Sequence, residues 1–288
     1  MVAEVARLAA FGRSVERGSL RIRGYWQLGA VVILLCYCQA GIAEQDIRVT
    51  AVDVVGYWSL DEATGDMVFD HGPGLNDGEI VTGSPGVSPV RSMGANGSYV
   101  KLDGRDDAIE IDLQEPRRIT TGGVCFWEAP SFARSEQQGW QQIVLLVNAQ
   151  GDQLELAHGR PSANCVGPCV WFVWRVCPNQ AYHLNCTPHD FLADEWIFWS
   201  ATWRFEVNTV DLTLYLNGAL LGSKTVQVPA VSERTASFCK VSVGHLNGRY
   251  RLSGSIDDLV LVQGELPEVV ILQAYEKGPG YWAEYVDP

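Results

Sequence analysis

The stretch VDLTLYLNGALLGSKTV, residues 210–226, decides the fold class. Leucine at positions 212, 214 and 216 alternates with polar or aromatic residues at 211, 213 and 215. A period of two is typical of a strand with one face in a core and the other in solvent. Asn217 and Gly218 then reverse the chain, because an Asn-Gly pair adopts the positive φ angles of a two-residue turn. The stretch therefore predicts a half-buried antiparallel hairpin in a layered β protein.

Turn signals of the same kind recur along the chain and separate further apolar runs. ANGS at 95–98, LDGRDD at 102–107 and LNGR at 246–249 are hairpin cues. Further strands are predicted at QQIVLLV (141–147), VWFVWRV (170–176), WIFWSATW (196–203), CKVSVG (239–244) and GSIDDLVLVQ (254–263). Only LPEVVILQAYEKG, residues 266–278, predicts a short helix, which ends at Gly278. The sequence therefore predicts an all-β fold, a two-sheet antiparallel sandwich.

The N-terminal 43 residues have the pattern of an export signal. Residues 24–43, GYWQLGAVVILLCYCQAGIA, carry no formal charge and follow a segment with five arginines. Gly41 and Ala43 supply the small residues of a cleavage site, as in secretory signals. About 20 apolar residues also suffice to span a bilayer, so residues 24–43 could instead remain as a membrane anchor. Either way, we expect residues 44–288 to form a single secreted or extracytoplasmic domain.

The charge of the chain restricts its partners. The sequence has 34 acidic and 21 basic residues, a formal net charge of −13. Nucleic acid is excluded as a partner on this ground, because its phosphates would be repelled rather than neutralised. Such acidity instead suits solubility or the binding of divalent cations.

Six cysteines follow the export signal, and an even number outside the cytoplasm predicts disulfides. They are Cys125, Cys165, Cys169, Cys177, Cys186 and Cys239. Spacing leaves the connectivity open, and we expect the pairs 165–169, 177–186 and 125–239. The alternative is a zinc site formed by Cys165, Cys169, Cys177 and Cys186 with His158, His183 and His189, although the spacings lack the paired C-x₂-C knuckles of structural zinc.

Four blocks of sequence, in this order, resemble laminin-G-like domains of the concanavalin A-like lectin/glucanase superfamily. They are VVGYWSLDEATGDMVFDHGPGLNDGEI, YVKLDGRDDAIEI, WIFWSATWRFEVNTVDLTLYLNGALLGSKTV and VGHLNGRYRLSGSIDDLVLVQGELPEVVILQAYEKG. The resemblance covers residues 54–278 and implies a jelly-roll sandwich. It also implies glycan or protein partners on a concave sheet or loop rim, and frequently one calcium ion. The chain departs from the pattern at about 158–190, where a cysteine-rich insertion surrounds one predicted strand.

The loop at 56–80, GYWSLDEATGDMVFDHGPGLNDGEI, is rich in the oxygen ligands that calcium prefers. The resemblance places calcium where the loop after the first strand meets the last strand, which here contains Asp257. We therefore expect Asp61, Asp77 and Asp257 to bind it, together with backbone carbonyls. The alternative is that the Asp, Asn and Gly residues of this loop only form turns.

The segment EIDLQE, residues 110–115, has the acid spacing of laminarinase-type glucanases in the same superfamily. There, two Glu residues act as nucleophile and acid/base, which would make Glu110 and Glu115 the catalytic pair. Pro116 would end that strand, and the Trp and Gly that precede the motif in the glucanases are missing. We therefore expect no enzyme activity.

A ligand surface is expected in the 158–190 insertion, where Trp171 and Trp174 could stack on sugar rings. The leading functional prediction is a non-catalytic extracellular module that binds glycans or glycoproteins and is stabilised by calcium. A structural or adhesive envelope protein is the alternative, and a glycoside hydrolase is the third reading.

Overall fold

A computed structural model describes residues 52–83, 90–94, 97–137, 139–159, 169–176, 180–186, 190–229, 236–245 and 248–286. All the described residues belong to one compact unit, Val49–Pro288. The predicted export signal at 1–43 therefore lies outside the described residues. Within the described part, no helix has the length and apolar character needed to cross a membrane.

The described strands form two antiparallel sheets of eight strands each, which confirms the predicted sandwich. In chain order the strands are β1 (Asp53–Trp58), β2 (Met67–Val68), β3 (Gly78–Val81), β4 (Val90–Gly94), β5 (Gly97–Asp103), β6 (Ala108–Arg118), β7 (Thr121–Pro130), β8 (Gln141–Asn148), β9 (Gln153–Gly159), β10 (Cys169–Val176), β11 (Gln180–Cys186), β12 (Ile197–Phe205), β13 (Thr209–Leu216), β14 (Ala219–Gln227), β15 (Ser237–Val243) and β16 (Ser253–Gln263). Sheet 1 has the order β14-β13-β12-β7-β16-β5-β4, with β1 also paired to β16. Sheet 2 has the order β11-β10-β9-β8-β15-β6-β3-β2.

The main core lies between the two sheets and follows the alternation of the strands. Leu212 and Leu214 of β13 are fully buried in it, whereas Thr213 is half-buried. Asn217 and Gly218 both have positive φ, 49° and 76°, which suits a tight turn of the primed type. The hairpin predicted at 210–226 is therefore confirmed.

A second apolar cluster lies outside the main core, beneath the C-terminal helix α1 (Glu268–Lys277). Val270 and Ile271 of this helix are fully buried in that cluster. The helix ends where predicted, because Gly278 has a φ of 81° that favours glycine. Trp282 completes the cluster just before the short helix α2 (Ala283–Val286), and it has no exposed surface.

Four features of the fold differ from the sequence predictions. The turns LDGRDD and LNGR do not close hairpins, because β5 and β16 belong to sheet 1 and β6 and β15 to sheet 2. Pro116 does not end the strand that contains Glu110, because β6 continues to Arg118. The predicted insertion contains two strands instead of one: β10 and β11 pair with each other and extend sheet 2 beyond β9.

The cysteine pairings need correction. The predicted pair of Cys125 and Cys239 is wrong, because Cys125 lies in sheet 1 and Cys239 in sheet 2, and both are free thiols. Cys125 Sγ donates a hydrogen bond to Ser200 Oγ at 3.2 Å, and burial raises its pKa to about 12. Cys186 is also free, so its predicted bond to Cys177 is absent.

The remaining cysteine prediction concerns Cys169, which is disulfide-bonded. Its predicted partner Cys165 lies outside the described residues. The described members of the zinc alternative do not converge, because His158 Nε2 contacts Glu128 Oε1 in the interior at 2.8 Å while His183 faces an outer cavity.

Candidate functional site

An acidic group lies in sheet 1 at the point where the chain leaves β1 and where β16 bulges, and β16 pairs there with β7 on one side and with β1 and β5 on the other. The register of β16 with β7 shifts between Asp257 and Val260. Within this bulge Asp258 has a φ of 56°, and on the facing segment the buried Leu60 has a φ of 61°. Side chains other than glycine rarely adopt such angles, and strained positions of this kind cluster at functional sites. The bulge of β16 and the strained Leu60 together bring Asp61, Asp257 and Asp258 into one cluster, which we call the acidic group.

These carboxylates are close enough to influence one another's protonation. Burial, followed by the negative charges of Asp258 and Asp61, raises the pKa of Asp257 to about 8. Burial likewise raises the pKa of Asp258 to about 6, although a hydrogen bond from the Tyr57 hydroxyl lowers it. That bond is 2.6 Å long and reaches Oδ1, whereas the buried Oδ2 of Asp258 has no hydrogen-bond partner. Ionising both Asp257 and Asp258 would therefore place more negative charge in this group than its described surroundings compensate.

Of the three predicted calcium ligands, Asp61 and Asp257 are brought together and Asp77 is not. Asp77 is exposed, and its Oδ1 accepts a hydrogen bond from the backbone N–H of Asp70 at 2.9 Å. It serves the turn between β2 and β3. The sequence also missed Asp258, whose only signal was its place beside Asp257 in SIDDL.

The rest of the 56–80 loop is organised by one buried carboxylate. Asp70 Oδ1 accepts hydrogen bonds from the backbone N–H groups of Tyr57 and Gly72, at 2.9 and 2.7 Å. Its Oδ2 accepts from the backbone and side-chain nitrogens of Asn76, at 2.7 and 3.2 Å. Asp70 and Asn76 therefore build the turn, and only Asp61 of this loop faces Asp257.

Within the described residues, one trio of acidic side chains lies close enough to share an ion, and it is none of those predicted. It comprises Asp103, Asp106 and Asp107, in the turn between β5 and β6. Asp103 Oδ1 and Asp107 Oδ2 already accept backbone N–H groups within that turn. These contacts account for the trio as turn chemistry.

The two predicted ligand-binding tryptophans lie on opposite faces of β10. Trp174 is fully buried in the main core and packs edge-on against Phe205 at 4.9 Å between ring centroids. The prediction for Trp174 is therefore wrong, because no ligand can reach it. Trp171 faces outward and is half-buried, and Gly159 makes room for its ring, since a Cβ there would lie 2.2 Å from Nε1.

Trp171 belongs to a row of three rings on the outer face of sheet 2. Trp140 packs against it at 4.5 Å and His183 at 5.0 Å, both edge to face. Burial lowers the pKa of His183, and the cations Arg175 and Lys224 lower it further. His183 is therefore neutral at pH 7 and can donate or accept a hydrogen bond.

A cavity of about 680 Å³ adjoins this row, where the edge strands β11 and β14 of the two sheets approach each other. Its walls include Trp171, Tyr182, His183, Asn185, Ser223 and Lys224. Lys224 Nζ donates a hydrogen bond to the backbone carbonyl of His183 at 2.9 Å, which fixes the ammonium at the cavity wall. Among the described wall residues, Lys224 is the one with a formal charge at neutral pH.

The glucanase-type acids are not arranged as a catalytic pair. Glu110 lies on β6, where its two carboxylate oxygens contact Lys240 and His245. Burial lowers the pKa of His245 to about 4. Glu115 is exposed, and it lies between Asp112 and Arg117, where the register of β6 with β15 shifts. Glu110 is thus paired with Lys240 and His245, and Glu115 lies elsewhere on β6.

No model of a protein family matches this chain, and no curated protein matches it. Solved structures do match. Domain 4 of AbnA, a GH43 extracellular arabinanase from Geobacillus stearothermophilus, in complex with arabinotriose, is 15% identical with a TM-score of 0.54, over 77% of this chain and 98% of that one. The binding domain of botulinum neurotoxin serotype D is 14% identical with a TM-score of 0.55, over 78% of this chain.

A third similar structure is the binding domain of botulinum neurotoxin DC in complex with SialylT, 12% identical with a TM-score of 0.53. The match covers about half of each neurotoxin binding domain, 52% and 51%. At these identities the comparisons establish a shared β-sandwich fold.

Proposed function

We propose that this chain is a non-catalytic extracellular module of the laminin-G-like type that binds glycans, free or on glycoproteins. The observation that carries the proposal is the 680 Å³ cavity lined by Trp171 and His183 beside the row of rings. Cavities of this size accept small ligands, and aromatic walls with a few polar groups suit sugars. The ring of Trp171 offers a stacking surface, while Asn185 and Lys224 offer hydrogen bonds to hydroxyl groups.

A structural calcium ion at Asp61 and Asp257 is part of the proposal. The residues fit such an ion, because Asp257 is buried, its neighbours are acidic, and one oxygen of the adjacent Asp258 has no partner. A divalent cation would supply the missing positive charge, with backbone carbonyls as further ligands. In this role Asp61 holds the loop after β1, and Asp257 holds β16.

The absence of catalysis is proposed from the state of Glu110. A carboxylate paired with Lys240 and His245 is not free to attack a sugar or to transfer a proton. The similar solved structures are a domain in complex with arabinotriose and toxin binding domains, which supports recognition over hydrolysis.

A glycan array followed by calorimetry tests the glycan site. We expect Trp171→Ala to weaken the best array ligand at least tenfold, about 1.4 kcal/mol, because the stacking surface is removed. Trp171→Phe should retain part of the affinity. The matched control is Phe69→Ala, which removes another exposed ring, 47% accessible, outside the cleft. If the wild-type protein binds no glycan, or if Trp171→Ala binds as well as wild type, the proposed site is wrong.

A further inference from the structure

A second, smaller cavity of about 220 Å³ lies on sheet 1, at the opposite edge from β14. Tyr99 of β5 and Trp196, just before β12, form one wall, with ring centroids 5.2 Å apart and nearly perpendicular planes. Trp196 is 37% exposed, so its ring is accessible from solvent. The floor includes Trp127 of β7 and Asp257 of β16.

Small residues keep this cavity open. Gly94 and Gly97, at the ends of the β4–β5 hairpin, and Gly278 with Pro279, after helix α1, complete the walls. A Cβ on Gly94 would contact the Tyr99 ring at 3.4 Å, which is ordinary packing distance. A larger side chain at this position would therefore enter the cavity without straining the backbone.

Two polar groups give the cavity a specific chemistry. The indole Nε1–H of Trp127 is buried and has no hydrogen-bond acceptor. An unpaired buried donor costs about 1–3 kcal/mol, and an acceptor on a bound ligand would recover that loss. Asp257 contributes the one carboxyl group of the described lining and can accept hydrogen bonds from hydroxyl groups.

The combination of size and polarity selects a class of ligand. Drug-sized ligands occupy about 300–1,000 Å³, so a cavity of 220 Å³ suits a single ring. No described side chain of the lining carries a positive charge that could pair with an anionic group such as a phosphate or a uronate. Aromatic walls with one donor and one acceptor match a neutral sugar, which has an apolar C–H face and a rim of hydroxyl groups.

We infer that this cavity is a second saccharide site, which takes one uncharged terminal sugar ring, separate from the cleft at Trp171. Trp196 stacks on the ring. Trp127 donates to one of its oxygens, and Asp257 accepts from its hydroxyl groups. The module therefore has two glycan sites, one in the cleft at Trp171 and one in the cavity at Trp196.

The test uses the methyl glycosides of glucose, galactose, mannose and arabinose as probes, in calcium throughout. Saturation-transfer NMR and the quenching of tryptophan fluorescence measure binding. We expect at least one probe to bind the wild-type chain and to lose at least tenfold in affinity in Trp196→Ala. Gly94→Leu should have the same effect by filling the cavity. Trp171→Ala separates any probe bound in the cleft from the probe bound in this cavity, and Phe69→Ala, the matched aromatic control, should leave probe binding unchanged.

The outcomes separate this inference from the proposed function. If no methyl glycoside binds, or if binding is lost in Trp171→Ala and kept in both Trp196→Ala and Gly94→Leu, the second site is wrong. In the latter case the cleft at Trp171 is upheld. If the probe bound at Trp196 while Trp171→Ala left every array ligand unaffected, the second site would stand and the cleft would be wrong. Circular dichroism of Trp196→Ala and Gly94→Leu checks that both variants are folded.

Discussion

Single residues decide which part of the 56–80 loop is structural and which part faces a functional site. Asp70 and Asn76 are nearly inaccessible and bond to each other and to the backbone. Asp61, by contrast, is exposed, and its Oδ1 accepts a hydrogen bond from the Ser98 N–H at 2.8 Å. Asp70 and Asn76 thus form the turns of this loop, whereas the proposed calcium site would use Asp61.

The contribution of Asp70 can be measured with a single change. In Asp70→Asn, either orientation of the new amide points an NH₂ group at N–H donors, because both carboxylate oxygens accept from nitrogen. We expect a loss of about 2–3 kcal/mol in the free energy of unfolding, measured by urea denaturation. Asp77→Asn is the control, since its amide can still present an oxygen to the Asp70 N–H. Equal losses in the two variants would contradict the role of Asp70.

Spacing along a strand also explains an error of the sequence analysis. Trp171 and Trp174 are three residues apart, so in a strand their side chains point to opposite faces. If residues 170–176 form a strand, at most one of the two tryptophans can face a ligand. The run VWFVWRV hides this, because hydrophobic residues occupy both faces and leave no alternation to read.

At the scale of elements, the sequence predicts best where one face meets solvent. The alternation at 210–216 and the turn at Asn217 located β13 and β14, and Gly278 located the end of α1. The sequence could not reveal which of the two sheets each strand joins. The Trp171 cleft forms where β11 approaches β14, and the Trp196 cavity forms where the loop before β12 approaches β5. Both are contacts between segments that are distant in the sequence.

Helix α1 and the residues after it protect the outer face of sheet 1. Trp282 is fully buried in the same cluster as Cys125, and it is large. We expect Trp282→Ala to cost about 3–5 kcal/mol in the free energy of unfolding, through the cavity that it leaves. Local opening should then expose the thiol of Cys125, which is inaccessible in the wild type.

Peptide mapping after treatment with a thiol reagent measures this opening. Labelling at Cys125 should be faster in Trp282→Ala than in wild type. The control is Leu272→Ala, a residue of α1 that is 42% exposed. Equally fast labelling of Cys125 in the wild-type protein would mean that the cluster does not shield sheet 1.

At the scale of the whole molecule, the acidic group links the first described strand, β1, to the last, β16. β1 pairs with β16, so Asp61 and Asp257 lie at one end of the contact between the first and last strands. An ion held by both would bind only the folded chain. Calcium at about 100 times its dissociation constant should then raise the free energy of unfolding by about 2.7 kcal/mol.

The same ion should change how stability depends on pH. Without calcium, folded Asp257 keeps its proton up to about pH 8, whereas an unfolded Asp releases it near pH 3.9. Between these values the folded state binds more protons, so this group lowers the free energy of unfolding as pH rises. Asp258, with a pKa of about 6, acts in the same direction. Calcium replaces the proton on Asp257 and should remove much of that decline.

Melting temperatures from pH 5 to 8, in EDTA and in calcium, measure the effect. In EDTA the wild type should lose stability across this range relative to Asp257→Asn, which lacks the titrating group. In saturating calcium the wild type should melt higher, with the largest gain at pH 8, and Asp257→Asn should gain little. Asp77→Asn should behave as wild type in both solutions, because Asp77 lies apart from the acidic group. If the melting temperatures of the wild type were identical in EDTA and in calcium across this pH range, the acidic group would hold no calcium ion.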